Sequence, residues 1–205
     1  QSAFQGYANA MATMGWFYRE GLGISQDYVQ SLTWYRKAAE AGDANAMPSL
    51  GWAYQNGLGT SQNYAEAKVW YEKAANIGDS YSMASLAWLY DVGNGVKQDI
   101  EESYKWFAIA ARDGDRDAAA KRDEVANAMR PEQLSSAKAK MELWKPQALD
   151  DKANSAELPD EWVGKPTKTA SVDMKKAVRN IQAILNNNGF NAGTPDGEMG
   201  KKTVA

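Results

Sequence analysis

The side chains that carry most enzyme chemistry are missing from this 205-residue sequence, which holds no cysteine and no histidine. That excludes thiolate nucleophiles, disulfides, imidazole bases and the ordinary zinc ligand sets, leaving carboxylates, hydroxyls, lysines and tyrosines. The adjacent Glu101 and Glu102 have the composition of a glycoside-hydrolysing couple, but such a couple needs two acids roughly 5 to 10 Å apart across a sugar cleft. Neighbouring helical residues diverge by about 100°, and Glu102 stands where a helix cap uses it. Asp43, Asp79 and Asp115 recur at intervals of 36 residues just ahead of predicted helices, where a carboxylate satisfies free backbone N–H groups instead of holding a metal. No catalytic residue, metal or cofactor is expected, and the chain is not expected to be an enzyme.

Recognition is the chemistry that remains. Trp16, Trp52 and Trp88 are spaced by 36, and each points about 170° from the centre of its helix's buried face at roughly 100° per residue. They are expected to form an exposed aromatic ladder on the concave side, a set of flat apolar platforms for a peptide, a helix or sugar rings. The competing reading lays each ring across the neighbouring repeat as packing. Trp34, Trp70 and Trp106, with Tyr35, Tyr71 and Phe107, fall on the opposite, buried arc of a second helix and are expected to be core.

Positioning these residues takes a repeated helical hairpin. The same interval of 36 relates Gly6, Gly42, Gly78 and Gly114, then Tyr18, Tyr54 and Tyr90, and the pairs Gly21/Gly23, Gly57/Gly59 and Gly93/Gly95. A period of this length with helical patterning marks a stacked-repeat protein. The first helix of a unit runs from about Asp43 to Gln55 and buries Ala46, Met47, Leu50, Gly51 and Tyr54. Gly15, Gly51 and Ala87 at one position admit a close neighbour, which offsets a propensity cost of about 1 kcal/mol for a helical glycine. The second helix opens with a capping box, Asp27-x-x-Gln30, Asn63-x-x-Glu66 and Asp99-x-x-Glu102. It buries Tyr64, Ala67, Trp70, Tyr71, Ala74 and Ala75 and ends at Gly78, suited to a left-handed cap.

The run Leu50-Gly51-x-x-Tyr54-x-x-Gly57-x-Gly59-x-x-Gln62-Asn63-Tyr64-x-x-Ala67-x-x-Trp70-Tyr71-x-x-Ala74-Ala75-x-x-Gly78-Asp79 resembles the Sel1-like repeat family, over residues 7 to 114. The resemblance implies an all-α fold, a right-handed α-solenoid of antiparallel helix pairs related to tetratricopeptide arrays, working as an adaptor. Three repeats are expected at about 7–42, 43–78 and 79–114. Asp115 to Ala128, rich in alanine and charge, reads as the start of a polar cap, completed by a helix from Pro131 to about Trp144, so that capping helices fill 115–145.

From 146 to 171 the periodicity fails and Pro146, Pro159 and Pro166 punctuate a polar stretch, read as a linker that Leu158 and Trp162 pin back onto the solenoid. Beyond it, Val178-Arg179-x-Ile181-Gln182-x-x-Leu185-Asn186-x-x-Gly189-Phe190-x-x-Gly193-x-x-Asp196-Gly197-x-x-Gly200 resembles the first half of the three-helix peptidoglycan-binding domain family, over 172–205. If that family's activity is retained, Asn186, Phe190, Asp196 and Gly197 border the groove. Repeats, broken linker and tail together resemble the periplasmic C-terminal region of the PodJ-type polarity proteins of alphaproteobacteria. That resemblance implies a membrane span and a cytoplasmic coiled coil ahead of this region, and a role in organising polar pili and adhesive organelles.

Charge and composition narrow the partners. The 23 basic and 26 acidic residues leave a net charge of -3 without long runs of one sign, so neither nucleic acid nor an anionic membrane is an expected partner. No apolar run approaches the roughly 20 residues of a membrane helix. The absence of cysteine fits an oxidising compartment. The expectation is a periplasmic scaffold, the C-terminal region of a single-pass inner-membrane protein, that binds protein partners along its concave face. The alternatives are a peptidoglycan-binding sensor or anchor, and a periplasmic regulator of a sensor kinase.

Overall fold

In the computed structural model, residues 7–149, 151–154 and 174–193 are described, and every regular element among them is helical. In chain order these are α1 (Ala8–Glu20), α2 (Tyr28–Glu40), α3 (Ala46–Asn56), α4 (Tyr64–Asn76), α5 (Ser80–Val92), α6 (Ile100–Arg112), α7 (Arg116–Ala128), α8 (Pro131–Leu143), the single turn α9 (Asp151–Asn154) and α10 (Met174–Asn187). They fall into two compact units, Gln1–Ala46 with Asp150–Ala205, and Met47–Leu149. The first holds the pair α1 and α2 with α9 and α10 against α1; the second holds α3 to α8.

Each hairpin is closed by the same few atoms. The carboxylate of Asp27 accepts the N–H groups of Val29 and Gln30 at 2.9 and 3.0 Å, and Asn63 and Asp99 do the same for α4 and α6. Only this half of the expected capping box forms. The N–H of each cap residue donates instead to a tyrosine carbonyl at the end of the preceding helix, Tyr18, Tyr54 or Tyr90, at 2.9, 2.8 and 3.0 Å. With that donor already engaged, Glu102 turns to Lys105 and Lys140. A glutamine strengthens the closure: the side-chain amides of Gln26, Gln62 and Gln98 donate to the carbonyls of Arg19, Gln55 and Asp91.

Small residues then set the helix spacing. A Cβ at Gly51 would stand 2.5 Å from the Tyr71 ring, and one at Gly15 would stand 2.8 Å from Tyr35. Both rings lie flat on bare backbone, the close approach expected from the sequence. The first unit buries Met11, Met14, Phe17, Trp34 and Tyr35; the second buries Leu50, Tyr71, Met83, Leu86, Trp106, Phe107 and Ile109. In the second unit α7 and α8 pack on α6 through Ala118, Val125 and Ala137, and most of their other side chains are charged or exposed. The Ser136 hydroxyl donates to Glu101 at 2.8 Å, and Lys140 pairs with the same carboxylate at 3.0 Å.

The stretch read as a linker makes contacts in its described residues. The N–H of Gln147 donates to the carbonyl of Asn76 at 2.7 Å, and Asn154 bonds both Gly42 and Ala44. Leu158 and Trp162 lie outside the described residues.

One cap residue carries a pH signature. Asp43 is fully buried; one oxygen accepts the Ala46 N–H at 2.8 Å and the other has no partner. Burial raises its carboxyl pKa above the ordinary 3.8, outweighing the backbone hydrogen bonds that lower it. The fold therefore favours the neutral form. This contribution is complete below the unfolded pKa and is lost as pH rises through the raised folded value. Asp43→Asn keeps an acceptor without the charge and is expected to flatten this dependence. Urea midpoints taken across pH 4 to 8 would show this, and parallel curves for the two proteins would contradict it.

Candidate partner-binding surface

The three tryptophans of the first helices occupy equivalent places on α1, α3 and α5, each directly after the small residue Gly15, Gly51 or Ala87. Trp16 is 40% exposed, its ring 5.4 Å from that of Phe17. Trp52 and Trp88 are half-buried. Within the second unit, Trp88 lies 6.1 Å from the Tyr64 ring at an interplanar angle of 50°, so one part of the indole covers the preceding hairpin and the rest meets solvent. Platform and packing are thus combined in one side chain.

The tryptophans of the second helices are different. Trp34, Trp70 and Trp106 are all buried, and a lysine ammonium lies over each ring, Lys37 at 4.4 Å, Lys73 at 4.0 Å and Lys105 at 4.4 Å. Such cation–π contacts cover one face of a buried indole. Burial lowers the Lys37 pKa, and it pushes the neighbouring Tyr18 hydroxyl up to about 12 with help from the charge of Asp27. These groups hold the hairpin together.

The acidic pair has the wrong electrostatics for proton donation. Lys140 and Ser136 beside Glu101 hold its carboxyl below the usual range. A glycosidic general acid needs the opposite shift.

In the tail, the Asn186 side chain donates to the Gly193 carbonyl and accepts the Ala192 N–H, while Phe190 meets Tyr7 edge-on at 6.4 Å. Both residues shape a turn. Asp196 and Gly197 lie outside the described residues.

The model of the Sel1 repeat matches residues 8–43, 44–79 and 80–115, more than half of the sequence. The chain belongs to the Sel1 repeat family. Among solved structures it is similar to a Sel1 repeat protein from Oxalobacter formigenes, with 34% identity over 60% of this chain and 49% of that one and a TM-score of 0.55. It also shares the fold of a protective antigen present in uropathogenic Escherichia coli strains that displays an SLR fold, with 22% identity, 91% of this chain, 50% of that one and a TM-score of 0.54. The chain spans about half the length of both. No match emerged among the curated proteins.

Sel1 repeats form all-helical solenoids that mediate protein–protein interaction and are not typically enzymatic. Two features of this Sel1 chain went unread in the sequence. The clamping glutamines Gln26, Gln62 and Gln98 carry the 36-residue interval and were within reach of it. The pairing of Trp144 with Trp106, rings 5.9 Å apart, joins residues 38 positions apart and has no periodic signal.

Proposed function

We propose that this Sel1 repeat chain is a non-enzymatic adaptor that holds protein partners on its repeat surface, in the periplasm, as part of a cell-polarity factor. The observation that carries the adaptor reading is the contrast between two tryptophan sets of one period. Trp34, Trp70 and Trp106 are buried under lysines, whereas Trp16 stands 40% exposed and Trp52 and Trp88 keep part of each ring toward water. An exposed tryptophan costs solubility and earns its place most often as a binding anchor. The near-neutral charge supports a protein partner over a polyanion. The periplasm and the polarity role are supported by the resemblance of the whole arrangement, together with the lack of cysteine.

The test compares affinity capture from envelope extracts by the parent chain, by Trp16→Ala and by the triple change Trp16→Ala, Trp52→Ala and Trp88→Ala. A specific partner is expected to be lost stepwise while circular dichroism shows helices retained. Undiminished recovery with the triple variant would overturn the assignment of the surface. A fused alkaline phosphatase, active only after export, reads the compartment, and an inactive fusion to the full-length parent would refute it.

A further inference from the structure

The chain contains three Asn-Gly steps, Asn56-Gly57, Asn94-Gly95 and Asn188-Gly189. At such a step the glycine nitrogen can attack the side-chain carbonyl carbon of the asparagine, because no Cβ on the following residue hinders the approach. Two of the three are held out of reaction. Asn56 is the last residue of α3, and its side-chain amide donates to the Trp52 carbonyl at 2.8 Å. The Asn188 amide donates to the Ile184 carbonyl at 2.9 Å and accepts from the Tyr7 hydroxyl at 2.8 Å. The nitrogen that would attack it is occupied as well, since the Gly189 N–H donates to the Asn186 carbonyl at 3.1 Å.

Asn94 is placed differently. It stands in the Gly-Asn-Gly turn between α5 and α6, where the other two repeats carry Leu22 and Leu58. Its own N–H donates to the Leu89 carbonyl at 3.2 Å. Among the described residues, neither its side-chain amide nor the Gly95 N–H has a hydrogen-bond partner. Asn94 is half-buried and Gly95 is exposed, so water reaches the pair.

We propose that Asn94 is a self-modification site, where the Gly95 nitrogen closes a succinimide ring on the asparagine side chain and water reopens it. The bond from the Gly95 nitrogen to Asn94 Cγ forms, the Gly95 amide proton passes to the departing side-chain nitrogen, and the Cγ–Nδ2 bond breaks to release ammonia. Water then adds at one of the two imide carbonyls, the Gly95 nitrogen regains its proton and a carboxylate forms. Addition at Cγ leaves aspartate. Addition at the main-chain carbonyl leaves isoaspartate, whose backbone runs through the former side chain and is one carbon longer. Both products add a negative charge, but only isoaspartate moves the turn. Gly95 sits so close to the start of α4 that a side chain on it would collide with main-chain atoms of Tyr64 and Ala65. The Tyr64 ring in turn lies 6.1 Å from that of Trp88. One more main-chain carbon ahead of Gly95 shifts this seat and loosens the third hairpin from the second. The chemistry is the same whether or not the Trp88 face carries a partner.

Ageing the full chain in mildly alkaline buffer, followed by peptide mapping with mass spectrometry and by labelling with an isoaspartyl methyltransferase, tests this. In the folded chain Asn94 is expected to convert at least tenfold faster than Asn56 or Asn188, whereas in concentrated urea the three steps are expected to convert at similar rates. The Asn94→Leu chain, with the residue of the other two turns, is expected to stay folded and to lose the label. Conversion of Asn94 no faster than the other two in the folded chain, or labelling undiminished by Asn94→Leu, would overturn the proposal. The aged, isoaspartate-rich chain is expected to unfold at lower urea than Asn94→Asp, which carries the charge without the longer main chain, and equal midpoints would overturn the loosening.

Discussion

Gly95→Ala will cost the second unit about 1 to 3 kcal/mol more stability than Gly114→Ala costs it. Both glycines have positive φ, 69° and 102°, where any side chain is strained by about 1 to 2 kcal/mol. Their surroundings differ. A Cβ on Gly95 would run into the Tyr64 carbonyl carbon and stand 2.5 Å from the Ala65 amide nitrogen, both main-chain atoms of the start of α4; a Cβ on Gly114 would meet nothing within 4 Å. Backbone held in a helix cannot swing away as a side-chain tip can, so the turn itself must move, and such overpacking adds about 1 to 3 kcal/mol. The gain from restricting the unfolded chain is common to both changes and cancels in the comparison. Urea denaturation of the two variants, read at one pH, is expected to give losses of about 1 to 2 kcal/mol for Gly114→Ala and about 2 to 5 kcal/mol for Gly95→Ala. Equal losses would mean that the Gly-Asn-Gly turn is not seated on α4.

That turn illustrates which parts of the molecule were legible. Positive φ at Gly21, Gly57 and Gly93, the N-cap roles of Asp27, Asn63 and Asp99, and the close approach at Gly15 and Gly51 are demands made within one hairpin, and period and residue type suffice to read them. The capping box failed for a reason of the same scale. Its return arm competes with a carbonyl nine residues back, from Asp27 to Tyr18, and no local motif announces that competitor. The candidate surface was legible to the level of the helical face: Trp16 does stand out in solvent. The angle count could not show that Tyr64 comes under Trp88, because that contact depends on how one hairpin leans on the next. Least legible was the seat of 144–149 on Trp106 and Asn76, which brings together residues from three different elements by tertiary packing alone.

Within the first unit, Trp34→Ala is expected to lower stability by about 3 to 5 kcal/mol, the range for emptying a buried tryptophan site, and Trp16→Ala by no more than about 1 kcal/mol. Trp34 is only 2% exposed, has the Lys37 ammonium over its ring and is hydrogen-bonded to Tyr18, so truncation opens a cavity and strips a buried hydroxyl of its partner. Trp16 is 40% exposed and gives up a ring contact with Phe17 at the surface. Thermal and urea unfolding of the two variants measure the difference directly. A loss at Trp16 as large as that at Trp34 would identify its ring as part of the core. The small loss is also what makes the partner assay interpretable: a chain with Trp16→Ala remains folded, so any partner it fails to hold is lost from the surface itself. A chain with Trp34→Ala loses the hairpin that carries the surface, and its failure to bind would say nothing about where the partner sits.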